Sequence, residues 1–466
     1  MRHIILLNGV YSSPILFDET RMPLSSRTIG VYQLKHWLAK FGIKAQVIDF
    51  CQMMTVKDLM TLIDHFKGPE TVAIGFSLTF STYKRFPPQL RALIPVLREK
   101  HPNLKLICGG PNVLDVEGLF DKRFSGYAED ELVTWMQEEL GKKGRSLFNQ
   151  KFDITKLDHR FDATDCISMA EALPIELGRG CIFKCKFCSH TNLGKPKKTY
   201  QREMRFIEDE MRWNYEQFGT TKYNFVDDTV NEDIEKIHGL ALLPEKLGFD
   251  MTWTGYLRAD LVWAFKEAPE LLMQSGLKSP FFGIETFNPV AGSSVGKGWA
   301  PKHGKDFLPK LHFDLWKDQI PIHLSFIVGL PTETTAESIE SAKWVVDQKA
   351  FGFRFLPFHI YTDNAGNITS QFSKEAEQYG YEVQEDSWRS PVMTREDAVE
   401  AVKYIFNTYE KPFSKIASWP SFDLQALGFT FDEIRGMTRE SSQILGTPRA
   451  FKFKTEYVRK LLALKE

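Results

Sequence analysis

The chain has 466 residues, long enough for two or three domains at roughly 100–200 residues each. Hydrophobic residues make up 43% and charged residues 26%, and 59 Lys+Arg against 60 Asp+Glu leave a net charge of -1, which supplies no field to gather nucleic acid or anionic membrane. Six cysteines over this length exclude a disulfide-dense secreted framework. Residues 1–9 hold too short an apolar run for a signal-peptide core, and no stretch reaches about 18 apolar residues, so a reducing, cytoplasmic location with no membrane partner is expected.

In chain order, Ile4–Leu7, Ala45–Ile48, 72–76 and 104–107 are short continuous apolar runs, the pattern of parallel strands buried on both faces. Between them Ile29–Lys40, Val56–Phe66 and Pro88–Lys100 show helical periodicity, with Leu34, Trp37 and Leu38 on one face of the first. This alternation predicts an α/β fold that opens with a doubly wound, Rossmann-like parallel sheet over residues 1–141. Ligands of such sheets sit at the carboxyl ends of the strands, here Asn8-Gly9, Asp49, Ser77-Leu78-Thr79 and Gly109-Gly110-Pro111.

Residues 142–169 lack periodicity and read as a linker lying over the surface. A second alternating series follows over 170–367, with strands at 174–177, 223–226, 252–256, 280–284, His323–Val328 and 354–358 and helices near 202–217, 231–246, 265–275, 304–317 and 335–349. Six βα units in a row predict a partial barrel, in which the carboxyl ends of the strands carry the chemistry. Residues 368–466 read as a mainly helical segment expected to close the barrel mouth and select the substrate, with Thr394 as a helix cap and Asp397 three residues on. There is neither a tandem repeat nor a low-complexity tract.

The first strand of the second series runs into Gly178-Arg179-Gly180-Cys181-Ile182-Phe183-Lys184-Cys185-Lys186-Phe187-Cys188. Clustered thiolates are soft ligands that select an iron-sulfur cluster or zinc. Three thiolates leave one iron of a four-iron cubane open to a small molecule. A Cys3His zinc site completed by His190 is the alternative, although Cys188-Ser189-His190 is tight for a tetrahedron. Cys51, Cys108 and Cys166 read as buried apolar residues.

A CxxxCxxC loop after the first strand of a six-unit βα barrel resembles the radical S-adenosylmethionine (radical SAM) superfamily. Further strand ends resemble the branch of that family with an amino-terminal cobalamin-binding-type domain: Phe225-Val226-Asp227-Asp228-Thr229, Arg258-Ala259-Asp260, Gly283-Ile284-Glu285-Thr286, and Phe326-Ile327-Val328-Gly329-Leu330-Pro331-Thr332-Glu333-Thr334. The resemblance implies that Cys181, Cys185 and Cys188 hold a 4Fe-4S cluster whose open iron takes the amino and carboxylate groups of S-adenosylmethionine. Phe187 stands where the family often has an aromatic residue against the adenine. Arg258 is suited to pair with the carboxylate in a forked geometry, Glu285 to accept from the ammonium or a ribose hydroxyl, and Asp227 and Asp228 to order cofactor or substrate. Gly329 and Pro331 would shape the backbone beside adenine; Arg258 and Asp260 could instead form a rim ion pair.

Two departures stand out. Thr332 replaces a usual glycine, with a modest expected effect on the loop, and the first domain has no DxHxxG sequence, so cobalamin as a further cofactor rests on fold resemblance. Lys195-Pro196-Lys197-Lys198 reads as a solvated turn, and Gly292 to Gly298 lacks P-loop spacing. The resemblance implies reductive cleavage of S-adenosylmethionine to a 5'-deoxyadenosyl radical and cobalamin-dependent methylation of an unactivated carbon. The alternatives are a non-methylating rearrangement, cyclisation or thioether formation with a vestigial first domain, and a non-catalytic iron-sulfur or zinc module. The implied partners are a small-molecule or peptide substrate and an electron donor such as flavodoxin or ferredoxin, with no nucleic acid.

Overall fold

The computed structural model describes residues 2–9, 26–78, 87–110, 118–141, 151–189, 193–196, 198–360, 370–384 and 387–464. Thr79, Pro111, His190 and Lys197, singled out above, lie outside them. The first sheet comprises β1 (Ile4–Leu7), β2 (Ala45–Ile48), β3 (Ala73–Ser77), β4 (Lys105–Gly110) and β5 (Lys122–Ser125), in the order β2-β1-β3-β4-β5 with every pairing parallel. Successive residues supply opposite cores, as the period of two requires. Ile5, Leu7, Ile74, Phe76 and Leu106 pack under helices Val56–Phe66 and Pro88–Lys100, while Ile4, Leu6, Val47, Ala73 and Ile107 pack under Ile29–Lys40 and Glu129–Glu139. The edge strand β5 has no apolar run: Phe124 is its one buried residue.

The connection into the second sheet is not the surface linker expected. Leu157, His159, Phe161 and Asp165 are buried. Phe161 meets the Tyr32 ring edge-on at 5.1 Å, and Lys35 donates to Asp162 at 2.9 Å and to Asp165 at 2.5 Å. Wedged between sheets, this segment takes its order from partners distant in sequence, which periodicity cannot register.

Six parallel strands build the second sheet: β6 (Leu173–Ile175), β7 (Lys222–Phe225), β8 (Thr252–Leu257), β9 (Leu277–Glu285), β10 (His323–Val328) and β11 (Gly352–Pro357), ordered β11-β10-β9-β8-β7-β6. Phe225, Trp253, Phe282, Ile284, Leu324, Phe326, Phe353 and Phe355 face the helices in one continuous core. The alternate residues Thr254, Tyr256, Ser279, Phe281, His323, Ser325 and Arg354 stay outside that core and therefore face the concave side. The helix expected at 231–246 divides into Ile234–Ala241 and Leu243–Leu247, because Pro244 cannot donate within a continuous helix and opens the second.

The carboxy-terminal segment reaches both sheets. Phe372 donates its backbone N–H to Lys186 O at 2.8 Å in the cysteine loop, and a short hairpin, β12 (Glu382–Gln384) with β13 (Ser387–Arg389), lays Trp388 against Gly329. Thr394 and Asp397 form a reciprocal capping box on helix Arg395–Ile405, as the sequence predicts. Lys415 and Ser418 then plug the opposite end, where Lys415 N–H donates to Phe351 O at 3.3 Å and Ser418 N–H donates to Ser279 Oγ. Finally, helix Arg439–Leu462 returns to the first sheet: Tyr457 and Leu461 are buried in its core, and Tyr457 Oη accepts from Asp49 N–H at 3.0 Å. Among the described residues no helix is long and apolar enough to cross a membrane.

Candidate active site

The cysteine loop leaves β6 at the carboxyl edge of the barrel and is pinned by backbone hydrogen bonds. Lys195 N–H donates to Cys181 O at 3.1 Å, Gly194 N–H to Phe183 O at 3.0 Å, Cys188 N–H to Cys185 O at 3.0 Å, and Lys186 N–H to Val295 O at 3.3 Å. The loop is thereby fixed to the segment that follows β9. Cys181 is buried, Cys185 and Cys188 are half-buried, and none is disulfide-bonded. Burial pushes the Cys181 thiol up, and its Sγ lies 3.6 Å from Thr229 Oγ1, which pulls the other way. Cys185 Sγ accepts from Arg258 Nη1 at 3.3 Å. Hydrogen bonds of this kind to thiolate sulfur tune the potential of a cluster. Among the described residues no three His, Cys, Asp or Glu side chains converge as ligands of one ion would. A cubane, whose thiolates bind different irons, makes no such demand.

Arg258 carries most of the local geometry. Its Nε and Nη2 fork onto Asp260 at 3.0 and 2.6 Å, and its guanidinium lies 3.9 Å from the centre of the Phe183 ring. The rim ion pair and the approach to the cysteines thus coexist. Two arms of the fork are engaged, and the third points at Cys185. Phe187 is half-buried against the barrel core.

Glu285 ends β9 in the left-handed region, at φ 67, an uncommon and strained conformation for a residue with a side chain. Its carboxylate folds back over Gly283, where a Cβ would collide with Oε1. Lys297 Nζ stands 3.4 Å from Glu285 Oε1 and donates to Gly283 O at 2.9 Å. Burial raises the Glu285 pKa, and Lys297 opposes it. Asp227 is buried with both oxygens engaged, accepting from Leu177 N–H at 2.7 Å and from Lys236 Nζ at 3.0 Å, and so buckles β6 to β7. Burial pushes its pKa up to about 6, against the pull of Lys236. Asp228 is half-buried beside Thr229, whose Oγ1 donates to Asp228 O at 2.8 Å.

Gly329 and the buried Pro331 follow β10. Gly329 has φ 101, and a Cβ there would lie 2.5 Å from Trp388 Cη2. Thr332 keeps a glycine-like backbone at φ 66 although it is β-branched, a larger consequence of that replacement than expected. Glu333 is buried, with Oε1 accepting from Thr286 Oγ1 at 2.5 Å and Oε2 without a partner.

Several residues carry the site that sequence reasoning missed. Lys297 and Thr229 lie outside the strand-end signatures or at their margin. Arg179, between the two glycines of the loop, donates to Glu176 at 2.9 Å, to Glu129 at 2.6 Å and to Gln33 Oε1 at 3.1 Å, tying the start of the cysteine loop to two helices of the first sheet. A charged residue between two glycines ahead of the first cysteine was the available signal.

At the first sheet, the order β2-β1-β3-β4-β5 reverses between β1 and β3, where open sheets hold ligands. Asn8 and Asp49, expected to face a ligand, are instead consumed by a buried network. Asn8 Nδ2 donates to Asp49 Oδ1 at 2.7 Å, Tyr32 Oη to Asp49 Oδ2 at 3.0 Å, and Arg27 to Tyr32 Oη and Glu171 Oε1, each at 2.6 Å. Ser77, Gly109 and Gly110 remain at the edge. Among the described residues a Cβ on Gly109 would meet nothing nearer than 3.8 Å, and Gly110 has φ 127, a conformation that favours glycine. Burial pushes up the thiols of Cys51, Cys108 and Cys166, which fill core space.

Residues 175–345 match the family described as the Radical SAM superfamily. Among curated proteins the chain is similar to "Uncharacterized methyltransferase PH0819" of Pyrococcus horikoshii, 29% identical over 192 residues, or 40% of this chain and 39% of that relative's length. Among solved structures it is similar to the radical S-adenosylmethionine methyltransferase TsrM from Kitasatospora setae. With cobalamin and a [4Fe-4S] cluster bound, that protein superposes with a TM-score of 0.60 at 16% identity, covering 99% of each chain. With tryptophan substrate and the analogue aza-SAM bound, the TM-score is 0.59 at 16% identity, covering 81% of this chain and 76% of that one. The shared architecture therefore runs through both sheets and the helical carboxy-terminal part.

Proposed function

We propose that this chain, whose residues 175–345 match the Radical SAM superfamily, is a radical methyltransferase built on three cofactors. Cys181, Cys185 and Cys188 would hold a 4Fe-4S cluster, with S-adenosylmethionine beside it at the barrel mouth and cobalamin at the carboxyl edge of the first sheet. In this reading residues 1–141 serve cobalamin, 142–169 connect, 170–367 serve the cluster, and 368–466 brace both. The observation that carries it is the meeting of a three-thiol loop with Arg258, at 3.3 Å from Cys185 Sγ, beside the Glu285–Lys297 pair at 3.4 Å. The soft donor set and its one pinned loop fit a cluster with an open iron. Cobalamin fits less completely: among the described residues Gly109 leaves room at the edge, whereas Asn8 and Asp49 are committed elsewhere.

When bound, the cluster and S-adenosylmethionine supply a 5'-deoxyadenosyl radical after one-electron reduction, and cobalamin supplies a methyl group. This chain's residues bind and orient. Arg258 holds positive charge against Cys185, so that a thiolate there keeps a partner inside a low-dielectric site. Glu285 presents an acceptor suited to an ammonium or ribose hydroxyl, aimed by its strained backbone and by Lys297. Phe183 and Phe187 exclude water from the loop. A flavodoxin or ferredoxin would deliver the electron.

The test is anaerobic reconstitution, a search for bound cobalamin by absorbance, and assay of 5'-deoxyadenosine and S-adenosylhomocysteine together. 5'-Deoxyadenosine without cobalamin or S-adenosylhomocysteine overturns methylation and leaves a non-methylating rearrangement, cyclisation or thioether formation. Cleavage of S-adenosylmethionine that persists in Cys185→Ala overturns the cluster assignment.

A further inference from the structure

The concave face of the barrel holds a cation that nothing in the site above uses. Arg354, in β11, forms no hydrogen bond or ion pair among the described residues, and its Nε is buried without an acceptor. The Phe281 ring lies 5.0 Å from the guanidinium carbon. Glu285 pairs with Lys297 and Asp260 with Arg258, and Glu285 acts on Arg354 only through space, with no hydrogen bond or ion pair between them. Arg354 as a whole is half-buried, so the buried Nε forgoes the hydrogen bond it had in water while the rest of the guanidinium stays within reach of a ligand on the concave face.

Its surroundings are shaped for such a ligand. In the strand register Ser325 stands between Gly283 and Arg354, so the position beside the guanidinium carries only a small side chain, and the Glu285 carboxylate lies over Gly283 beyond it. Phe281 pairs in register with Tyr256 on one side and His323 on the other, and the three rings form a row: Tyr256 edge-on to Phe281 at 4.7 Å, His323 stacked on it at 5.0 Å. Tyr256 is 38% exposed although its strand lies inside the sheet, so the concave face is open at this depth. His323 is held neutral, because burial and the Arg354 charge lower its pKa well below the ordinary value. The layer is thus an aromatic floor with one unpaired positive charge, lying below the strand ends that carry Arg258 and Glu285.

We propose that Arg354 recognises a carboxylate of the substrate, and that the substrate is a small carboxylic acid whose apolar body lies on Tyr256 and Phe281. A planar guanidinium with free donors matches a carboxylate in a forked pair, and a single cation balances a single negative charge. This assignment rests on the barrel being the substrate chamber of a radical SAM enzyme. It requires neither cobalamin nor methyl transfer.

The experiment reads binding without turnover, so failure of the proposed activity leaves it answerable. Reconstituted protein is titrated calorimetrically with phenylacetate and indole-3-acetate and with the matching amides. The acids are expected to bind at least about tenfold more tightly than the amides, with the preference lost in Arg354→Gln and partly kept in Arg354→Lys. A second reading uses no ligand: Arg354→Met removes a half-buried charge whose Nε has no acceptor and is expected to raise the urea midpoint. Equal binding of acid and amide, no binding of either acid, a preference unchanged in Arg354→Gln, or a lowered midpoint in Arg354→Met each overturns the proposal.

Discussion

Glu333 offers a test of how the loop after β10 is held. Burial, aided by the neighbouring Glu337, pushes its pKa from an ordinary 4.5 up to about 8, and the Thr286 hydroxyl only partly offsets this. The folded protein therefore keeps a proton that the unfolded chain loses near the ordinary carboxyl range. Between those two values the folded state binds more protons, so stability falls as pH rises and the loss is complete above about pH 8. Each unit is worth about 1.4 kcal/mol, so raising the pH from about 6 to about 8 should cost about 2–3 kcal/mol through this one group. Glu333→Gln keeps the shape and removes the titration. Urea unfolding of both proteins at the two pH values isolates the effect, because all other groups cancel in the difference. Wild type should lose about 2–3 kcal/mol more than the variant over this window; equal losses would refute a protonated Glu333.

Three further outcomes follow from the site. Arg258→Lys gives up the fork on Asp260 and the contact with Cys185, so half-saturation by S-adenosylmethionine should rise about tenfold, with a shift in the cluster potential by redox titration; an unchanged potential would separate Arg258 from the cluster. Gly329→Ala drives a methyl into a Trp388 ring fixed by its Nε1–H bond to Phe358 O at 2.9 Å. A loss of about 2–5 kcal/mol is expected by chemical denaturation, with part recovered in a Gly329→Ala, Trp388→Leu double variant. Thr332→Gly relieves a β-branched residue at positive φ and should gain about 1 kcal/mol, read as a raised urea midpoint.

The strands β1 and β2 and the helices Ile29–Lys40, Val56–Phe66 and Pro88–Lys100 were legible to the residue, because buried parallel strands and amphipathic helices write their burial as local periodicity. β5 was not, since an edge strand with one buried phenylalanine has no such pattern. The cysteine loop was legible because its three thiols fall within one short stretch of chain. Its bracing was not: Lys297, Arg179 and the Arg258 approach to Cys185 join residues far apart in sequence.

By itself the sequence determined the two alternating βα series, the three-thiol loop and the strand-end residues, all of which depend on spacing within a few turns of chain. Only the tertiary structure decided what each of those residues is free to do. Asn8 and Asp49 look like ligand groups and are spent on a buried network with Arg27 and Tyr32, while Arg354 looks like an ordinary strand residue and is left unpaired on the concave face. The reason is physical: whether a polar group has a partner depends on which distant segment the fold brings within about 3 Å, and a one-dimensional pattern carries no record of that distance.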